Sequence, residues 1–135
     1  MITNKNLNEV RKEILKLKND GAIVVVQAQG DDFNRKIVEN SDVDVLFGLE
    51  MHDRRDYLKQ RDSGLNEVLC KLAKKNGVKV GVDLKGLSRL NGVEKASVLA
   101  RVMQNVKLCR RVGTEIVVLD DVGKLEIQSF FKVMG

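Results

Sequence analysis

Apolar residues follow two patterns along this chain: short unbroken runs, and stretches with the 3.6-residue spacing of a helix. The unbroken runs are rich in Val and predict four buried strands, at Ala22 to Val26, Val43 to Phe47, Val78 to Val82 and Glu115 to Leu119. Helical stretches separate these runs. Strands that alternate with helices are joined by right-handed crossovers and form a parallel sheet. The pattern therefore predicts the α/β class.

Start and stop signals bound the predicted helices. Asn6 and Glu9 occupy the positions of a capping box for a first helix that reaches Lys18. A short second helix opens at Asp31 or Asp32. Spacing at i, i+3, i+4 and i+7 predicts an amphipathic terminal helix with the apolar residues Ile127, Phe130, Phe131 and Met134.

The third and fourth predicted helices carry the clearest packing expectations. The third begins at Asp62, where Asp62 or Ser63 accepts hydrogen bonds from free backbone amides, and it stops at Gly77. Its apolar stripe is predicted to be Leu65, Val68, Leu69 and Leu72. The fourth, which is the longest, starts behind Asn91 and stops at Gly113. Its apolar face is predicted to be Ala96, Leu99, Val102, Met103, Val106 and Cys109.

Composition adds a size class and an expected partner. The chain has 135 residues, 43% of them hydrophobic, which suits a single domain over residues 1–135. No run approaches the ~18 consecutive apolar residues of a membrane span, so we expect a cytoplasmic protein. A net charge of +5 favours an anionic partner. Cys70 and Cys109 lie in helical stripes and are expected to be buried free thiols.

Cations concentrate where a parallel sheet places its binding loops, at the carboxyl ends of the strands. Four segments qualify: Gln27 to Asp32, Gly48 to Arg61, Asp83 to Asn91, and Asp120 to Lys124. The basic residues in or just beyond them are Arg35, Arg54, Arg55, Lys59, Arg61, Lys85, Arg89 and Lys124. Helix N-termini at the same end add backbone donors for phosphate oxygens. We therefore predict a phosphate-binding rim.

Other basic residues are spaced around the helices and are expected on solvated faces. They are Lys71, Lys74, Lys95, Arg101, Lys107, Arg110 and Arg111. Arg61 has a second interpretation, because an ion pair with Asp62 or Asp56 would simply hold its loop.

Catalysis by the chain itself is disfavoured. A single His cannot build the metal site of a barrel hydrolase, and the sequence lacks the glycine spacing of a nucleotide-binding loop. Two other functions stay open. The first is a metal-dependent phosphoesterase with His52, Asp120 and Asp121 as its candidates, and the second is a protein-binding α/β module anchored by Phe130 and Phe131.

The run RDSGLNEVLCKLA, from Arg61 to Ala73, resembles the signature of the barrel-type subunit of archaeal ribonuclease P, protein component 3, related to the 30-kilodalton subunit of the eukaryotic enzyme. Asn66 and Glu67 replace the usual Asp-His pair of that signature. The resemblance runs from about Ile23 to Leu119 and includes Asn34-Arg35, Val43 to Leu46, Lys85, and Gly92 to Ala96.

The resemblance implies an eight-stranded (βα) TIM-type barrel, of which this chain supplies about half, corresponding to the middle strands. A half barrel would have two unpaired strand edges and an exposed apolar inner face. It would stand as an open sheet or be completed by a second copy, and we favour a homodimer.

The resemblance also implies a role in tRNA processing, as an RNA-binding protein of a ribonucleoprotein whose RNA cleaves precursor tRNA at its 5′ end with Mg²⁺. The implied partners are ribonuclease P RNA, precursor tRNA and a small ribonuclease P protein subunit. The chain itself would bind no cofactor or metal and supply no catalytic residue. Its expected RNA contacts are Arg35, Arg54, Arg55, Arg61, Ser63, Lys85, Arg89 and Lys124.

Overall fold

The structure is a computed structural model that describes residues 1–51 and 63–119 and the backbone of 125–126. Its helices are α1 (Leu7–Asn19), α2 (Asp31–Val38), α3 (Glu67–Asn76), α4 (Leu84–Ser88) and α5 (Gly92–Val112). Its strands are β1 (Val25–Gln27), β2 (Val45–Phe47), β3 (Lys79–Asp83), β4 (Ile116–Leu119) and β5 (Leu125–Glu126). A short 3-10 turn, Leu49–Met51, follows β2.

The strands form one open sheet in the order β1-β2-β3-β4-β5. The first four are parallel, as predicted, so the α/β class is confirmed. The fifth is antiparallel to β4, with Leu119 opposite Leu125, and the sequence pattern did not indicate it. A strand of two residues shows no alternation of apolar and polar positions that a sequence could reveal.

Each face of the sheet has its own apolar cluster, because successive strand residues point to opposite faces. Residues such as Val26, Leu46 and Ile116 pack against the helices on one face. The other face holds Val25, Val45, Phe47, Val117 and Leu119. Gly81 makes room for that second cluster, since a Cβ there would lie 2.8 Å from Val45 Cγ1 and 2.9 Å from Phe47 Cβ.

The sheet has fewer unpaired edges and a less exposed apolar face than we expect of a half barrel. The backbone of Ile2 bonds to β1 on one edge, from Ile2 N to Val25 O and from Gln27 N to Ile2 O, both at 2.8 Å. β5 lies on the other edge, beside β4. The inner-face side chains of Val45 and Phe47 are buried. The described residues therefore lack the open edges and bare face that favoured a homodimer, and the homodimer stays a prediction.

The start of α3 corrects one prediction. The helix begins at Glu67 and not at Asp62, with Asn66 as its N-cap, whose Oδ1 accepts from Leu69 N at 2.9 Å. Gly64 has a φ of +83°, a left-handed value that a right-handed helix does not contain. The stripe is also rotated from the predicted one, since Val68 is exposed while Leu69, Cys70 and Ala73 are buried.

The buried face of α5 corrects a second prediction. Its buried residues are Val98, Arg101, Val102, Asn105, Val106 and Cys109. Leu99 and Met103, predicted as core, are more than one-third exposed. Arg101, predicted on a solvated face, is only 8% exposed. The helix is turned because Arg101 and Asn105 find backbone carbonyls to bond in the interior, as described below.

Smaller features complete the fold. The predicted loop after β3 contains α4, which Asp83 caps by accepting from Gly86 N at 2.9 Å. Cys70 and Cys109 are buried free thiols, as predicted. Within the described ranges, no helix combines the length and apolar character that crossing a bilayer requires. The predicted terminal helix, from Ile127, lies outside the described residues.

Candidate nucleic-acid interface

The rim is the carboxyl edge of the parallel strands. Gln27 lies opposite Phe47, and Phe47 lies opposite Gly81, so the loops after β1, β2 and β3 leave the sheet on the same side. The structure describes the first and third of these loops and the two ends of the second. It does not describe Arg54, Arg55, Arg61 and Lys124, whose RNA contacts stay predictions.

The loop after β1 is held by a buried asparagine. Asn34 Oδ1 accepts from Gln29 N at 2.7 Å, and Asn34 Nδ2 donates to Gln29 O at 3.1 Å. The neighbouring Arg35 points into solvent, where its Nε bonds to Glu39 Oε1 at 3.2 Å. An exposed pair of this kind contributes about 0 to 1 kcal/mol. A phosphate could therefore compete for Arg35 at small cost.

The loop after β3 presents Lys85 and Arg89, which are both exposed. The two residues lie four positions apart on α4 and its C-cap, so they occupy the same side of this turn. The turn is fixed from within, because Asp83 caps it and Ser88 Oγ donates to Lys85 O at 2.7 Å. Two cations on a fixed turn suit the oxygens of one phosphate or of two neighbouring phosphates.

Ser63 differs from the other predicted contacts. It is buried, and its Oγ donates to Leu65 O at 3.2 Å within the turn that precedes α3. The hydroxyl thus stabilises the loop, and its predicted contact with RNA remains untested.

A buried polar network lies beneath the rim, and our sequence prediction missed it. Glu50 Oε1 accepts from Asp83 N at 3.0 Å. Arg101 Nη1 donates to Glu50 O at 3.2 Å, and Asn105 Nδ2 donates to Ser63 O at 3.1 Å. Glu50, Arg101 and Asn105 are all buried. The network therefore connects the loop after β2, the loop after β3 and helix α5.

Burial also changes the acidity of Glu50. Loss of water around its carboxyl raises the pKa of Glu50 from 4.5 to about 7, although the hydrogen bond from the Asp83 backbone acts in the opposite direction. Near neutral pH, this side chain exists in both its neutral and its charged form.

A signal for this network was present in the sequence. Residues 98, 101, 102, 105, 106 and 109 form a regular helical stripe once Arg101 and Asn105 are counted as buried. Glu50 has a weaker signal, because a carboxylate just after a buried strand is equally typical of a solvated loop.

No set of three His, Cys, Asp or Glu side chains in the described part of the chain is placed to hold a metal ion. His52, Asp120 and Asp121, the candidates for a phosphoesterase, lie outside that part, as do Phe130 and Phe131. What the described rim offers is exposed cations and ordered backbone.

The chain is similar to proteins of known identity, although no protein-family model matches its sequence. Ribonuclease P protein component 3 of Methanosarcina acetivorans is 30% identical over 120 residues, which cover 89% of this chain and 47% of that protein. The component 3 proteins of Methanococcus maripaludis strain C7 and Methanosarcina mazei are each 28% identical, over 87% and 99% of this chain and 47% and 56% of their own lengths.

Solved structures show the same similarity. One chain of the cryo-EM structure of archaeal ribonuclease P with mature tRNA is 28% identical and has a TM-score of 0.72, covering 87% of this chain and 48% of that chain. The crystal structure of an uncharacterized protein, 13% identical with a TM-score of 0.54, shares the fold alone. This chain spans about half the length of most of the curated relatives it matches. The chain is thus similar in sequence to ribonuclease P protein component 3 over about half of that protein's length, and similar in structure to a chain of archaeal ribonuclease P.

Proposed function

We propose that the protein is an RNA-binding subunit of ribonuclease P that supports the catalytic RNA in the 5′ maturation of precursor tRNA. The observation that carries this proposal is the similarity, 28% identity and a TM-score of 0.72, to a chain in archaeal ribonuclease P with mature tRNA. The net charge of +5 and the exposed Lys85 and Arg89 support the same role.

The proposed contribution is electrostatic. Cations on the rim neutralise phosphates and release condensed counterions, so a structured RNA folds compactly at a lower Mg²⁺ concentration. In this proposal Mg²⁺ acts as the cofactor of the RNA, and we expect the chain itself to hold neither a cofactor nor a metal. Few base contacts are expected, because the chain is only 4% aromatic and offers few rings for stacking.

The proposed partners follow from this role. They are ribonuclease P RNA, precursor tRNA and a small ribonuclease P protein subunit, and the assembly would be cytoplasmic. A homodimer is a separate proposal, which light scattering tests, and a monomer at working concentration would remove it.

Filter binding at several salt concentrations tests the function. If ~5 phosphates are contacted, log affinity for a precursor tRNA transcript or for ribonuclease P RNA falls against log salt with a slope of magnitude ~3.5 to 4.5. An affinity that does not change with salt would discard the proposal.

Removing a rim cation gives a sharper test. Lys85→Ala is expected to lower the affinity for precursor tRNA and to reduce the salt slope by about 1, since one phosphate contact is lost. Lys18→Ala is the matched control, because it removes an exposed cation near the end of α1, where the chain turns toward the start of β1. Equal losses in the two variants would mean that the rim has no special role.

A further inference from the structure

We propose that the C-terminal ends of α3 and α5 form a second phosphate-binding surface for RNA, at the edge of the sheet opposite the rim. We call it the helix-end surface, and its cations are the exposed Lys74, Lys75, Arg110 and Arg111. These residues are spread over two helices, and the fold brings them to one end of the molecule. The inference deepens the proposed function and depends on it.

The two helices end with the same sequence pattern. Residues 74–77 read KKNG and residues 110–113 read RRVG, so in each helix two adjacent cations precede the last helical residue and a glycine. Gly77 and Gly113 both stop their helices in the left-handed conformation. Because β3 and β4 are parallel neighbours, the helices that lead into them end at the same edge of the sheet. The repeated pattern therefore places four cations at that edge.

Direct contacts hold the two helix ends together. Lys74 Nζ donates to Val112 O at 3.1 Å, so a cation of α3 lies beside the last residue of α5. Thr114 Oγ1 donates to Cys70 O at 2.7 Å, and Cys70 Sγ lies 3.9 Å from Cys109 Sγ. All of these contacts join α3 to α5 or to the residues that follow it. The cations of the two helices therefore share one surface.

This surface has more positive charge than its surroundings require. The C-terminus of a helix is equivalent to about −0.5 elementary charge, so two helix ends offset about one of the four cations. Residues 67–79 and 107–115 hold seven cations and two carboxylates, a net charge that equals the +5 of the whole chain. Like charges at this density repel one another, and a bound polyanion would relieve that repulsion.

The two carboxylates in these ranges are already paired. Glu67 Oε1 lies 3.2 Å from Lys71 Nζ, and Glu115 Oε2 lies 3.6 Å from Lys79 Nζ. Three cations of the helix-end surface form no ion pair with a carboxylate in the described part of the chain; they are Lys74, Lys75 and Arg111. Their charges therefore remain available to phosphates.

The composition of the surface favours RNA over a protein partner. Within the described ranges 71–79 and 107–115, no large apolar side chain is exposed. A stable protein interface has an apolar core in which Lys is depleted. Phosphates, in contrast, are bound by Lys and Arg side chains without any apolar contact. A surface of exposed cations alone suits the phosphate backbone of RNA.

The helix-end surface is distinct from the rim. Helix α5 has 21 residues, so its two ends are about 30 Å apart. Arg89 lies just before the start of α5, whereas Arg111 lies in its last turn. An RNA that contacts both surfaces therefore extends on the order of 30 Å along the protein. The two surfaces are also far enough apart for their contributions to the binding free energy to add.

The test uses the full chain and filter binding to two transcripts, precursor tRNA and ribonuclease P RNA. Lys75→Gln combined with Arg111→Gln removes two exposed cations and leaves the hydrogen-bonded Lys74 in place. Lys12→Gln combined with Lys16→Gln is the matched control, because it removes two exposed cations from α1. Lys75→Arg combined with Arg111→Lys keeps both charges. Thermal unfolding checks that every variant is folded.

We expect the neutral double variant at positions 75 and 111 to raise the Kd for at least one transcript roughly 10- to 30-fold at about 0.15 M salt. The salt slope should fall by about 1.5, since two phosphate contacts are lost. The α1 control should change the Kd by less than about threefold, because salt screens charges that do not touch the RNA. The charge-keeping variant should bind like the parent. Adding Lys85→Ala should multiply the loss, because the rim and the helix-end surface act independently.

Three results would overturn the inference. The first is a neutral double variant that binds both transcripts as tightly as the α1 control does. The second is an equal loss in the charge-keeping variant, which would mean that charge is not the cause. The third is parental RNA affinity with lost binding to the small ribonuclease P protein subunit, which would assign the surface to a protein. A parent whose affinity for both transcripts ignores salt would instead reject the proposed function.

Discussion

Helices α1 and α5 pack into the same apolar cluster, yet they bury different kinds of side chain. The buried residues of α1 are only Val10 and Ile14. Helix α5 also buries Arg101 and Asn105. Arg101 and Asn105 donate to the backbone carbonyls of Glu50 and Ser63, whereas the buried side chains of α1 are apolar. The comparison teaches that, of these two helices, the one that bonds to backbone outside itself is the one that buries polar side chains.

The largest expected effect tests the apolar side of this comparison. Ile14→Ala should lower the free energy of unfolding by about 2 to 5 kcal/mol, because it removes a side chain that is 1% exposed and leaves a cavity. Urea denaturation measures the loss. Leu15→Ala, at an exposed neighbouring position, should change stability by less than about 0.5 kcal/mol.

Unlike Lys85→Ala, Ile14→Ala should leave the RNA affinity of the folded protein unchanged, because Ile14 lies in the apolar cluster. If the two variants weaken RNA binding equally, the distinction between the apolar cluster and the exposed rim fails.

The second prediction concerns the carboxyl group in the polar network. The unfolded chain releases the Glu50 proton near pH 4.5, whereas the folded protein keeps it until about pH 7. Between these values the folded state binds more protons, so the free energy of unfolding falls as the pH rises. Across this pH range, ionisation of Glu50 lowers the free energy of unfolding by an amount on the order of 3 kcal/mol.

Glu50→Gln should remove this loss of stability at high pH, because the glutamine side chain stays neutral and still accepts a hydrogen bond from Asp83 N. We expect denaturation to show that the free energy of unfolding of the variant, relative to that of the parent, is higher at pH 8 than at pH 5. The exposed Glu13→Gln serves as the control. Parallel pH curves for Glu50→Gln and the parent would contradict the assignment.

The smallest effect compares two helix starts. Asn66 caps α3 through a hydrogen bond from Leu69 N, so Asn66→Ala should cost about 1 kcal/mol. Asn91 occupies the same position before α5 without a side-chain cap bond, so Asn91→Ala should cost less. Thermal unfolding of the two variants gives the comparison, and an equal loss would show that the hydrogen bond is not the cause.

Much of the fold could be predicted because its signals are local. Runs of Val gave the parallel strands, and Gly77 and Gly113 stop their helices in the left-handed conformation that glycine adopts most readily. The predicted start of α3 is wrong because Asp62 and Ser63 are residue types that often cap helices. The sequence does not reveal the positive φ of Gly64, which keeps the helix from starting there.

The site was only partly predictable. Lys85 and Arg89 could be placed on the rim, because cations after a parallel strand lie at its carboxyl edge. The sequence pattern predicts Arg101 on a solvated face, because the reason for its burial, a carbonyl 51 residues away in sequence, exists only in the folded chain. The pKa of Glu50 has the same origin, since tertiary packing removes its water.

The antiparallel pairing of β5 with β4 has a consequence for any barrel built from this chain. Leu119 pairs with Leu125 along the edge of β4 where a parallel neighbour would have to add. Another polypeptide that pairs directly with this part of β4 must therefore displace β5 first. Ring closure at that edge becomes a strand-exchange reaction, in which the incoming strand competes with one already tethered to the chain.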